Sequence, residues 1–298
     1  MDWLHFPPYA SLRDQLIARL RKPMYQFKTL RPVLFLCGGN QSPRRELIAE
    51  YLRKHHPNKL LFYAEDVWNQ IASGTALNAL ESERQLAQLA DVVLVVVESP
   101  GTYAELGAFS LQDDLRKKLL PICDEEHRHA VSFLNAGPIR WVDAESRYGP
   151  SIFTDFTVIL KSMPEIEDRL SRIPHRRSED VADIGSSPRH LLFLLCDLVA
   201  MVGPTPAKHC LYYLERILGT PPSSDIDSLL SLGVSMKILK SVTVSGMSTL
   251  YFRPLEDGAL RAFQSNQMFS VVKERAAFLS VMQGIDECQT ALEAVRVA

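Results

Sequence analysis

The chain has 298 residues, 46% of them hydrophobic and 23% charged, with a formal net charge of −2. Those values suit a globular protein with one large α/β domain and a smaller module, each able to bury its own core. They give no global electrostatic case for nucleic acid. The five scattered cysteines (37, 123, 196, 210, 288) support neither a disulfide framework nor a zinc site, and no apolar run approaches 18 residues.

The opening segment reads as an amphipathic helix over about 10–22. Residues 1–31 carry six Lys/Arg (Arg13, Arg19, Arg21, Lys22, Lys28, Arg31) against Asp2 and Asp14. Such an arm suits a phosphate backbone or an acidic partner, and equally a solvated helix face. No secretory leader is visible, so the expected location is the cytoplasm.

A βα alternation then begins. Pro32–Cys37 reads as a buried strand running into Gly38-Gly39, and Ser42-Pro43 opens a helix to about Lys54, with serine as N-cap and proline first. Lys59–Tyr63 is a second strand, ending at Glu65-Asp66, and Ala76–Leu89 a helix. Val92–Val97 is apolar on both faces, as central parallel strands are. A helix from about Thr102 follows, then a strand near Leu119–Cys123 and another at Ile139–Val142. This alternation implies a parallel, Rossmann-like sheet covered on both sides.

Residues 171–190 are polar, with two prolines and a glycine, and mark a linker. Beyond it come helices over Leu191–Met201, Pro206–Leu218 and Asp225–Leu232, then a hairpin of Ser241–Val244 and Thr249–Arg253. Three helices and a hairpin suggest a winged-helix-like α+β domain, closed by a helical segment over 260–295. The expected domains are an arm (1–30), a sheet domain (31–170), a linker (171–190) and the winged-helix-like domain (191–298).

Candidate chemistry gathers where ligands bind in open α/β sheets, outside the carboxyl ends of the strands. Cys37-Gly38-Gly39 follows the first strand, Glu65-Asp66 the second and Glu98-Ser99-Pro100-Gly101 the third. Paired glycines before a helix expose backbone N–H groups to an anion such as phosphate; G-x-G-x-x-G is absent, which disfavours a dehydrogenase. Glu105 has two readings. Thr102-x-x-Glu105 fits a capping box, in which the glutamate serves only the helix start. With Glu98, it also forms a carboxylate pair able to divide the work of glycoside cleavage, with the helix N-terminus keeping it ionised as a nucleophile. Asp66 is a polar contact or a turn former. Asp91 opens the strongest strand and ends the preceding turn. His55-His56 and His127/His129 read as surface, and no metal site is expected.

The stretch Asp91–Phe109, in which a strand leads to Gly101-Thr102 and Glu105-Leu106-Gly107, resembles the nucleoside 2-deoxyribosyltransferase signature. Phe35–Gly39, Phe62–Asp66, Ser99–Ser110 and Ser132–Arg140 together resemble the effectors of type II-A bacterial retrons. There, a deoxyribosyltransferase-like domain precedes a winged-helix-like one. The resemblance implies a toxic effector of anti-phage defence, an N-glycosidase that cleaves the ribosyl C–N bond of a nucleotide. NAD is the expected substrate, and no cofactor is expected. The partners it implies are a reverse transcriptase and multicopy single-stranded DNA with its non-coding RNA. Glu105 would be the nucleophile and Glu98 its catalytic companion on sugar or base, where the transferases usually carry aspartate. Cys37, Gly38, Gly39, Ser99, Pro100, Gly101 and Thr102 would hold phosphate and ribose. Glu65 and Asp66 would flank the substrate, and Asn135 and Pro138 would line the pocket.

Residues 189–298 carry ten Lys/Arg and ten Asp/Glu, which favours protein contact for that half and leaves nucleic acid to the basic arm. A homo-oligomer stays open. Two other functions also stay open: deoxynucleotide N-glycosidase or base exchange, and a winged-helix regulator with a nucleotide-sensing domain.

Overall fold

A computed structural model describes residues 3–21, 25–28, 31–63, 65, 86–174, 178–181, 183–185, 187–222, 224–244, 248–253, 263–264 and 270–297. The chain divides into a sheet unit, residues 31–175, and a helical unit, residues 1–30 with 176–298. The opening helix α1 (Pro7–Leu20) and strand β1 (Tyr25–Lys28) belong to the helical unit.

The sheet unit begins with β2 (Val33–Cys37), every residue of which is buried. Helix α2 (Pro43–His55) follows, with Ser42 as N-cap accepting the Arg45 N–H at 3.1 Å and proline in the first turn. β3 (Leu60–Phe62) and β4 (Val92–Val97) come next. Of the helix expected over 76–89, residues 86–89 are helical and the rest lies outside the described residues. Helix α3 (Pro100–Ser110), a single turn at Asp113–Arg116, β5 (Leu119–Asp124), a π-helical turn (Asn135–Ile139) running into α4 (Arg140–Glu145), β6 (Ile152–Thr154) and α5 (Met163–Ser171) complete the unit.

The five strands lie in the order β3-β2-β4-β5-β6, all parallel. Counted within the unit this is 2-1-3-4-5, whose strand order reverses between β2 and β4. β4 is buried on both faces because helices cover both. Asp91 anchors its start: Oδ2 accepts the Val33 N–H at 2.8 Å, so the residue opening β4 also sets the first rung of β2.

Two expectations are corrected. Ile139–Val142 is helical, not a strand. Ile139 and Val142, three residues apart, are buried, while Arg140 and Trp141 face water, which is a helical period. The edge strand of the sheet is instead β6, only three residues long. Helix α3 starts at Pro100, two residues before the expected Thr102.

The remainder of the helical unit comprises β7 (Ser178–Val181), α6 (Pro188–Val202), β8 (Thr205–Pro206), α7 (Ala207–Leu218), α8 (Ile226–Ser235), β9 (Lys240–Val242), β10 (Leu250–Phe252), β11 (Phe263–Gln264), α9 (Val271–Met282) and α10 (Asp286–Val297). Helix α6 is buried from His190 to Val202 and apolar there but for His190 and Asp197, as a helix at the centre of a bundle is. Gly219, at φ +77°, ends α7 in the left-handed conformation that glycine adopts without penalty. β8, β10 and β9 form one antiparallel sheet in that order, and β11, β1 and β7 another. β7 lies within the expected linker, and the expected hairpin is β9–β10, with 245–247 outside the described residues.

The basic opening segment is a packed part of its unit. Helix α1 lies against α7 and α9. Arg13 is buried, donates to the Leu4 carbonyl at 2.7 Å and pairs with Asp14. Arg19 grips Glu274 with both Nη atoms, at 2.5 and 2.6 Å. No helix among the described residues is long and apolar enough to cross a membrane.

Candidate functional site at the sheet switch point

The reversal of strand order between β2 and β4 opens a crevice at their carboxyl ends, where ligands bind in this architecture. Two turns flank it: Gly38–Ser42 between β2 and α2, and Glu98–Ser99 between β4 and α3. The first is tight. Gln41 adopts φ +54°, uncommon for a residue with a side chain, and the Ser42 N–H returns to the Gly39 carbonyl at 3.0 Å. Gly38 is needed for space rather than for backbone freedom, since a Cβ there would stand 2.7 Å from Arg45 Cδ. Cys37, the last residue of β2, is buried.

The second turn builds its own cap. Ser99 Oγ accepts the Thr102 N–H at 3.3 Å, and Thr102 Oγ1 accepts the Glu98 and Ser99 N–H groups at 3.0 and 2.9 Å. Thr102 Oγ1 also donates to the Ser99 carbonyl at 2.9 Å. This Ser99–Thr102 pair is the capping box, so Thr102, fully buried, is part of the scaffold of the turn. Pro100 and Gly101 are exposed in its first turn.

That geometry corrects the capping-box reading of Glu105 and its place in the helix. Glu105 is the sixth residue of α3, in the second turn, and takes no part in the cap. The helix dipole acts mainly within the first turn, so it contributes less to the charge of Glu105 than a first-turn position would. Thr102, Glu105, Leu106 and Phe109 follow the i, i+3, i+4, i+7 stripe. Three of these are buried, and Glu105 is half-buried at the stripe's edge with its Oε2 shielded from solvent.

Glu98 is held from two sides. Oε1 accepts the Gly39 N–H at 3.1 Å and Oε2 accepts Arg44 Nη1 at 2.9 Å. The Gly39 N–H that the sequence offers to an anion is thus taken by this carboxylate. Arg44 Nε donates to the Phe156 carbonyl at 2.9 Å, and its guanidinium lies over the Phe156 ring at 5.1 Å. Beside it the buried Arg45 forms a two-pronged bond to Glu65, one prong at 2.9 Å, and stacks on Tyr63. Burial, opposed by Arg53 and aided by the Glu46 carboxylate, pushes the Tyr63 phenol up to about 12, so it remains a neutral hydroxyl that donates to Glu46 at 3.0 Å. Asp66 lies outside the described residues.

Asn135 and Pro138 sit in the π-helical turn, which lies against α3; such turns recur at functional sites. The Asn135 amide is committed to its own loop, donating to the His127 and Ala130 carbonyls at 2.8 and 2.9 Å, and Pro138 is buried. Burial pushes the Cys123 thiol, at the end of β5, up to about 12. It is no nucleophile at neutral pH. His56 bonds Glu167 at 2.8 Å, and His55 stacks on Tyr51.

Sequence reasoning missed Arg44 and Arg45. Their signal is visible in hindsight: two arginines in the first turn of a helix oppose its dipole, so each needs a carboxylate, and the structure supplies Glu98 and Glu65.

The sheet unit is thus an α/β unit built on a five-stranded parallel sheet, with Glu98 at its switch point. Residues 40–241 match the family described as STM3845 retron effector protein, and the chain belongs to that family. Over 133 residues it is 37% identical to a protein of Escherichia coli named as a candidate ribosyltransferase/DNA-binding protein of retron Ec86, covering 43% of each chain. Over 229 residues it is 26% identical to a protein of the same designation from retron Ec73 of E. coli, covering 69% of this chain and 72% of that one. The Ec86 match thus spans less than half of its relative.

Proposed function

We propose that the sheet unit is a deoxyribosyltransferase-like N-glycosidase, the toxic effector of a retron defence system, and that it cleaves the ribosyl C–N bond of NAD. Glu105 is the nucleophile on the anomeric carbon. The observation that supports this reading is that Ser99 and Thr102 cap α3 without Glu105, so the carboxylate that the family resemblance makes the nucleophile is not part of the cap. The names of the Ec86 and Ec73 relatives, which include ribosyltransferase, support the same class of chemistry.

The helical unit, in this proposal, is a winged-helix-like module that binds the retron reverse transcriptase. Its support is the element order α6-β8-α7-α8-β9-β10, with the three strands arranged β8-β10-β9. Contact with multicopy single-stranded DNA is proposed on the DNA-binding designation of the relatives. The sequence assigns that contact to the basic arm; Arg13 and Arg19 are already engaged within their unit, so it falls to other cations.

The test is to incubate the full chain, free of its partners, with NAD and with each deoxynucleoside monophosphate. Nicotinamide release is the expected result. Release of a nucleobase from a deoxynucleotide instead reassigns the substrate, and no release from any of them defeats the enzyme reading.

A further inference from the structure

Glu98 is the second carboxylate at the switch point, and the family resemblance places it on sugar or base. Its surroundings give it another task. Its side chain is only 7% exposed, and each oxygen already accepts a hydrogen bond, one from Gly39 N–H at 3.1 Å and one from Arg44 at 2.9 Å. Gly39 belongs to the β2–α2 turn and Arg44 to the first turn of α2, while Glu98 belongs to the β4–α3 turn. The Glu98 backbone N–H is itself pinned by the Thr102 hydroxyl, and Arg44 is pinned by the Phe156 carbonyl beyond β6. Three segments at the mouth of the sheet are therefore tied through one carboxylate.

We propose that Glu98 is a positioning residue. It ties the β2–α2 turn and the start of α2 to the β4–α3 turn and so sets where Glu105 meets its substrate. The proposal rests on the glycosidase reading and deepens it by giving Glu98 the task of holding the site's turns together in place of a contact with sugar or base. In the cleavage of a pyridinium nucleotide the leaving group departs unprotonated. Its C1′–N bond breaks with the electron pair returning to the ring nitrogen, which becomes neutral, while Glu105 forms the C1′–O bond. Water then attacks C1′, freeing the Glu105 carboxylate, adding hydroxyl to the sugar and releasing one proton to solvent.

The experiment compares the full chain with Glu98→Gln, Arg44→Met and the double variant, measuring NAD cleavage across pH and thermal unfolding. Each single change should lower kcat/KM about ten- to a hundredfold, the scale of a small misplacement of reacting groups. The double variant should lose no more than the worse single one, and Glu98→Gln should keep both limbs of the wild-type pH profile. The losses in Tm should be non-additive in the same way, as for residues in one network. A missing limb in Glu98→Gln, or losses that multiply in the double variant, would overturn the proposal. If the wild-type chain cleaves no NAD, the glycosidase reading falls on its own. The unfolding data then decide the clamp, with non-additive losses sustaining it and additive ones overturning it.

Discussion

In the sheet unit every buried charge at the site has a partner at the edge of water. Arg45 is 3% exposed and its partner Glu65 40%; Glu98 is 7% exposed and its partner Arg44 40%. In the helical unit the pair Arg253–Asp197 is 4% and 2% exposed, at 3.8 Å, with Asp197 on the buried helix α6 itself. The two kinds of pair have different uses. A half-exposed partner can be exchanged for a ligand group or for water at modest cost. A core pair cannot, because either charge left alone would be stranded in low dielectric. The helical unit also holds a pair of the first kind, Glu274 with Arg19, 10% and 37% exposed, so the contrast lies between these sites and not between whole units.

Substitutions can break or sharpen that contrast. The largest effect on stability belongs to the core pair. Asp197→Ala removes one member of this buried pair and should cost about 3–5 kcal/mol, the usual penalty for breaking a buried pair, read by denaturant unfolding. A loss below about 1 kcal/mol would erase the distinction between the two kinds of pair. Next comes Gly38→Ala, whose Cβ would press on Arg45 Cδ at 2.7 Å. It should cost about 1–3 kcal/mol, as overpacking does, and weaken nucleotide binding in calorimetry by moving the β2–α2 turn. The smallest is Ser99→Ala, which removes one cap bond and should cost about 1 kcal/mol while NAD cleavage persists at a reduced rate.

The sheet was legible because its signals were local. Val92–Val97 could hardly be anything but a central strand, and Ser42-Pro43 carries its own cap and first residue. β6 was not legible because three residues between Ser151 and Asp155 carry no period. Ile139–Val142 misled because a short apolar run cannot be told from a buried helix face by periodicity alone. The three-stranded sheet that joins β1 to β7 and β11 is non-local, with Gln26 opposite Asp180 and Gln264, and no local pattern encodes such pairings.

The site was half legible. Strand ends point to where a candidate site would lie, yet the contacts among its residues do not follow from them. Thr102-x-x-Glu105 satisfies the capping-box spacing, and only the start of α3 at Pro100 shows that Ser99 and Thr102 do the capping. The bond from Gly39 to Glu98 spans 59 residues and could not be read from either turn alone.

The account turns on Glu105, and the most direct measurement is nicotinamide release from NAD by the wild-type chain and by Glu105→Gln, with folding of the variant verified by its melting curve. The account predicts that the variant unfolds like the wild type and releases nicotinamide at least about a thousandfold more slowly, as loss of a nucleophile requires. A folded Glu105→Gln variant that cleaves NAD within about tenfold of the wild-type rate, a difference worth only ~1.4 kcal/mol, would contradict it.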